Sequence, residues 1–282
     1  ATFAGLKVIA LPHVDYNLDF TTTVGSTAIT SAATSNFQVT WSTPTKLAVN
    51  RQPSGGTTGV ALNTQPIVEV QDFYGNRVED YVGDITAAVG GSNSLLTSAS
   101  SPNLTASVTG GLATFIDLAL TATPAVDYQL SFSAGALTAV NSSAIRVIPG
   151  VAVRIAILNQ PIGAQTGAEL AGQPVVAVLD SFGNRVTQDN STVISVALTS
   201  GTGGTLSRTV SGAPAALEAT VVNGVASFNH LAMRGLTSQN YKLTFSSGQL
   251  AAAVSANFIV HHAAVASLVW NTQPQVGMTG SP

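Results

Sequence analysis

The sequence predicts an all-β protein made of consecutive β-sandwiches, on three grounds. Short runs rich in Val, Ile, Thr and aromatic residues follow one another at roughly 8–12-residue intervals, broken by Gly, Asn, Asp, Ser and Pro. Apolar and polar residues alternate within those runs, as a strand with one buried face requires. The pattern also repeats: Gln65-Pro-Ile-Val-Glu-Val-Gln-Asp-Phe-Tyr-Gly-Asn-Arg-Val78 returns as Gln173-Pro-Val-Val-Ala-Val-Leu-Asp-Ser-Phe-Gly-Asn-Arg-Val186, with nine of fourteen positions identical at a spacing of 108.

Taken in order, each run has counterparts. Asp15-Tyr-Asn-Leu-Asp-Phe20 matches Asp127-Tyr-Gln-Leu-Ser-Phe132 and Asn240-Tyr-Lys-Leu-Thr-Phe245. In each, Tyr, Leu and Phe fall on one face, with polar residues such as Asn17, Gln129 and Lys242 between them. Val68 and Val70 share a face, as do Val176 and Val178. Ala113 with Phe115 and Ala226 with Phe228 repeat the spacing later, and Ala1-Thr-Phe3 matches Ala113-Thr-Phe115. Phe3, Phe115 and Phe228 are therefore expected in like surroundings. The later copy is longer by five residues between these motifs, placed most simply in a loop within residues 200–214. Tyr16, Tyr128 and Tyr241 each open a penultimate strand and read as tyrosine corners, whose hydroxyls bond back to nearby backbone.

These matches give boundaries. Residues 1–43 read as the back half of one repeat, 44–150 and 151–264 as complete repeats, and 265–282 as the start of another, because Leu268-Val-Trp-Asn-Thr-Gln-Pro274 resembles Leu47-Ala-Val-Asn-Arg-Gln-Pro53. The sequence reads as cut from something longer. The apolar face of residues 1–43 would then need strands from elsewhere in the chain or from a neighbouring molecule. Ile145-Arg-Val-Ile-Pro-Gly150 runs straight into Val151-Ala-Val-Arg-Ile155, and so short a Pro-containing junction restricts rotation more than a Gly/Ser tether. An extended, semi-rigid array is expected.

Composition narrows the function classes. Apolar residues make up 45% and charged residues 8%, against roughly 25% charged in ordinary soluble domains. The surface must then be built from Ser, Thr, Asn, Gln and Gly. With a net charge of −3, copies repel one another weakly, which suits a wall component or filament. Ten basic residues against thirteen acidic, no basic cluster, and only three lysines (Lys7, Lys46 and Lys242) argue against nucleic acid. Without cysteine there is no disulfide, zinc thiolate or Cys nucleophile. No apolar run reaches the roughly 18 residues of a membrane helix, so no membrane insertion is expected of this segment, and no signal peptide opens it.

The most prominent polar motifs are Asp72-Phe-Tyr-Gly75-Asn76 and Asp180-Ser-Phe-Gly183-Asn184. Asp accepts backbone N–H bonds while Gly and Asn tolerate positive φ, so a tight hairpin is expected at both. Calcium on Asp72 and Asp180 is the alternative. It requires six to eight oxygens, and neither motif holds a second acid. Glu79, Asp80 and Asp84 follow the first motif and only Asp189 the second. His261-His262 sits at a junction without a repeat counterpart, and His13 and His230 are single, so a surface reading is preferred to a metal. No Ser-His-Asp order is marked, and no catalytic residue or cofactor is expected. Lys242 lies on a polar face by alternation and Lys46 lies early in a first strand, which disfavours an internal Lys–Asn bond. Asn103, Asn141 and Asn190 begin glycosylation sequons.

The Val-x-Val-x-Asp-x-x-Gly-Asn hairpin (from Val68 and Val176), the Gly-Val/Leu-Ala-x-Phe strand and the Tyr-x-Leu-x-Phe strand together resemble the bacterial immunoglobulin-like domains strung along surface proteins, including those of the invasin and intimin type. The resemblance implies an exported bacterial protein, extracellular or at the cell surface, in which such domains act as spacers, with any adhesive unit often at a distal end. The expected function is a structural segment of a stalk, sheath or filament whose partners are neighbouring copies or flanking repeats. Two alternatives stand beside it. One is a glycan- or receptor-binding module using Trp41, Trp270 or Tyr74. The other is a set of spacers in a large secreted enzyme.

Overall fold

A computed structural model describes residues 2–210, 212–237, 239–265 and 267–269. Among these every regular element is a β-strand, and the strands form several separate sheets. The chain divides into two compact units, Ala1–Pro149 and Gly150–Pro282.

In the first unit, Ile67–Asp72 is the most regular strand. Val68, Val70 and Asp72 are buried on one face, and the residues between them are half-exposed. It pairs with Pro44–Arg51 on one side and Leu112–Thr114 on the other, with Val68 opposite Ala113. Leu112–Thr114 pairs in turn with the preceding strand Thr105–Thr109, which pairs with Asp84–Val89, and Leu130–Ser133 and Val140–Asn141 extend the sheet. A separate pair joins Ser94–Thr97 to Ala119–Ala122. Val68, Val70, Ala113 and Phe115 meet Ile85, Leu130 and Phe132 in one core, where the Phe115 and Phe132 rings lie 5.5 Å apart. Fully burying such side chains contributes about 1.5–3 kcal/mol each.

The second unit repeats this plan within itself. Val175–Leu179 lies between Arg154–Asn159 and Val225–Ser227, with Val176 opposite Ala226. Val193–Ser200 pairs with Glu218–Thr220 and Lys242–Ser246, and the latter with Ala253–Val254. Phe228, Tyr241, Leu243 and Phe245 are fully buried, and the Phe228 and Phe245 rings lie 5.3 Å apart.

Two expectations are corrected. Residues 200–214 are not a simple loop: Thr205–Val210 pairs with Leu231–Arg234 and also turns into the short strand Ala213–Pro214, so the extra residues build a hairpin. Phe3 does not share the surroundings of Phe115 and Phe228. It stacks on Phe20 at 4.9 Å, the same partner position, yet is 57% exposed where they are 4% and 0%. Residues 2–43 form only a hairpin, Thr21–Val24 with Thr27–Thr30, and a short pair, Asp15–Tyr16 with Phe37–Gln38. Tyr16, Leu18 and Phe20 alternate with exposed neighbours but are only half-buried, since no facing strands cover them.

Candidate functional site

The two Asp-Gly-Asn segments are tight turns at the ends of central strands. Asp72 N donates to Asn76 O at 2.9 Å and Gly75 N to Asp72 O at 3.1 Å; Asp180, Gly183 and Asn184 repeat both bonds at 2.9 and 3.1 Å. Only the glycines take positive φ, +88° at Gly75 and +86° at Gly183. Asn76 and Asn184 do not. Each instead turns its Nδ2 to an Asp carboxylate oxygen at 3.1 Å.

The carboxylates are nearly inaccessible, with Asp72 1% and Asp180 0% exposed. Asp72 accepts from Asn76 N at 2.8 Å and from Ser42 N at 3.1 Å; Asp180 accepts from Asn184 N at 2.8 Å, Phe182 N at 2.9 Å and Gly150 N at 2.9 Å. Ser42 and Gly150 each lie 30 residues upstream, just ahead of a first strand. So each carboxylate ties its own turn to the segment that leads into the sandwich. Burial alone would raise both pKa values, but the donated hydrogen bonds outweigh it and hold both below the usual carboxylate range.

Those donors also bear on calcium. A cation would need the oxygens that the N–H groups already occupy. Asp189 bonds instead to Ser191 N and Thr192, Glu79 pairs with Arg77, and Asp84 accepts from Ser107. Among the described residues no group of three or more His, Asp or Glu is placed to hold a metal ion.

Each tyrosine hydroxyl reaches backbone five residues upstream: Tyr16 accepts from Leu11 N at 3.1 Å, Tyr128 from Thr123 N at 3.2 Å and Tyr241 from Leu236 N at 2.7 Å. Trp41 is half-buried against the first unit's core, and the His13 ring lies 4.7 Å from it. Tyr74 is 44% exposed at the hairpin tip, under the Lys7 ammonium at 5.4 Å. Trp270 falls outside the described residues. His230 Nδ1 lies 3.0 Å from Glu169 on the surface, and His261 and His262 are exposed. A concavity of about 440 Å³ is lined by Leu11, His13, Trp41, Arg77 and Glu79 among others.

Some polar ties carry no obvious sequence signature of function. Gln65 Nε2 donates to Leu62 O and Leu118 O while its Oε1 accepts from Leu118 N; Gln173 makes the same three bonds with Leu170 O, Leu231 O and Leu231 N. Gln52 and Gln160 accept from Ser143 N and Ala256 N. The sequence signal for these ties is the Gln-Pro dipeptide, present at residues 52, 65, 160 and 173 and once more at residue 273. Buried Ser142 and Ser255 accept from Leu130 N and Leu243 N, both at 3.0 Å.

No family model matches the chain, and no curated protein matches it. Solved structures do show distant likeness. The Yersinia pseudotuberculosis adhesin InvE is 14% identical with a TM-score of 0.29, covering 83% of this chain and 65% of that one. A Bacteroides vulgatus β-glycosidase is 9% identical, TM-score 0.31, with 78% and 25% covered. A Parabacteroides merdae β-glucuronidase is 11% identical, TM-score 0.27, with 76% and 24% covered. The chain thus spans about a quarter of the length of either glycosidase. At this similarity none of the three says what this chain does. No helix among the described residues is long and apolar enough to cross a membrane.

Proposed function

We propose that this chain is a structural segment of a long extracellular bacterial protein, in which immunoglobulin-like β-sandwiches in tandem build a stalk, sheath or filament. One observation carries the reading. Two stretches of one chain make the same internal ties at matching positions: the buried Asp turn holding the segment before the first strand, the Gln strap, the buried Ser and the tyrosine hydroxyl. These groups are spent on holding backbone to backbone, so what recurs is scaffold. A surface poor in charge favours association with neighbouring copies or flanking repeats. This reading gives the chain no catalytic role of its own, and the exposed His230–Glu169 contact is taken as a surface pair.

Antibodies raised against the 282-residue chain test it. Gold labelling of intact producing cells should decorate stalks, sheaths or filaments; label confined to the cell interior would refute the proposal. The rival reading as a glycan-binding module draws on the exposed Tyr74 and Phe73 rings at one hairpin tip. Specific binding on a glycan array, lost on Tyr74→Ala, would favour it.

A further inference from the structure

Within residues 44–149 of the first unit, and again within the second unit, the opening and closing segments of the chain run side by side in the same direction. In the first unit Leu47 N donates to Thr138 O at 3.0 Å and Thr138 N to Thr45 O at 2.9 Å; farther along, Thr58 N donates to Ile148 O and Ile148 N to Gly56 O, both at 2.9 Å. The second unit repeats all four. Ile155 N donates to Ala251 O and Ala251 N to Val153 O, while Thr166 N donates to His261 O and His261 N to Ala164 O, at 2.8–2.9 Å. In residues 44–149 and in the second unit alike, the first pair of bonds lies where the chain comes in and the second where it leaves.

The close approach is built in at two glycines. A Cβ on Gly55 would lie 1.7 Å from Arg146 O, and one on Gly163 would lie 1.7 Å from Ile259 O. Neither glycine has positive φ, so the need is for space and not for backbone freedom.

We infer that these parallel ties are a shear clamp that lets each unit carry tension along the chain. The inference rests on the structural reading above, since a stalk or filament is pulled through its two ends. Pulling the incoming strand backwards and the outgoing strand forwards slides two parallel segments past each other. All four cross-ties are then strained at once, together with the antiparallel bonds beside them. Had both strands been pulled from the same end, the bonds would break singly, in sequence. Lifetime under tension is set by the unfolding rate, which makes clamp geometry, more than equilibrium stability, the quantity that matters.

The test stretches the full chain at constant force between handles on its termini. Wild type should show two large steps, each releasing roughly 350 Å for about 100 residues. In Gly163→Ala, loss of the Thr166–His261 pair of bonds should shorten one unit's lifetime about 30-fold and leave the other unchanged. An unchanged lifetime in a folded Gly163→Ala chain would overturn the clamp. Should that variant not fold, a Gln249→Cys chain, which has no other cysteine, keeps the question decidable. Gln249 is exposed and precedes the tie at Ala251. A handle there, pulled against the N-terminus, loads both strands of the second unit from one end while the first unit stays in shear. The second unit should yield at clearly lower force; equal forces for the two units would refute the clamp. Neither result depends on where the protein sits, whereas interior gold label would overturn the structural reading and leave the clamp standing.

Discussion

Asp180→Ala should destabilise the second unit by about 3 kcal/mol. The carboxylate accepts from three backbone N–H groups, of Gly150, Phe182 and Asn184, and from the Asn184 side chain. A hydrogen bond to a charged group is worth about 1.5–3 kcal/mol net, and a buried donor left without a partner costs about 1–3 kcal/mol. Summing every bond would overshoot. Ser181, Phe182 and Gly183 are exposed, so water replaces some of what the turn loses. The strand that carries Asp180 keeps Val176 and Val178 in the core, so the loss stays toward the lower end of the range for a core deletion. Hydrogen exchange read by mass spectrometry on the whole chain measures the effect. Peptides from the second unit should exchange about 150-fold faster through global opening, since each 1.36 kcal/mol is a factor of ten. Peptides from the first unit serve as the internal reference. Acceleration confined to residues 180–184, with the rest of the unit unchanged, would refute the reasoning, because the carboxylate would then hold only its own turn.

Acid should weaken the fold through the same groups. Asp72, Asp180 and Asp189 have folded pKa values below those of the unfolded chain, so their contribution is complete above roughly pH 5 and is lost as pH falls through about 4 and below. Urea midpoints against pH should show that fall, shallower in Asp180→Asn; a flat profile would contradict it. Phe228→Ala, at a fully buried ring, should cost about 3–5 kcal/mol, whereas Phe3→Ala, at a ring 57% exposed, should cost under about 1 kcal/mol by thermal unfolding. Millimolar calcium, added or chelated, should leave the melting temperature unchanged, because Asp72 and Asp180 already accept N–H donors; a calcium-dependent rise would reinstate the metal reading.

What the sequence by itself determined was whatever is local. A period of two is written into consecutive residues, so the all-β class and the buried faces at Val68–Val70 and Leu130–Phe132 can be read without knowing any neighbour. The repeated motif likewise singled out Asp72 and Asp180. Tertiary structure alone decided what those groups hold. The second partner of each carboxylate lies 30 residues upstream, the Gln straps reach 53 and 58 residues away, and the parallel ties join the first strand to the last. Phe3 shows the same division from the other side. Its local sequence matches that of Phe115, but burial belongs to the facing strands, and residues 2–43 supply too few of them. Gly55 and Gly163 carry no local signal of their importance. A missing side chain matters only when another strand's carbonyl stands where it would have been, and that is known only once the sheets have closed.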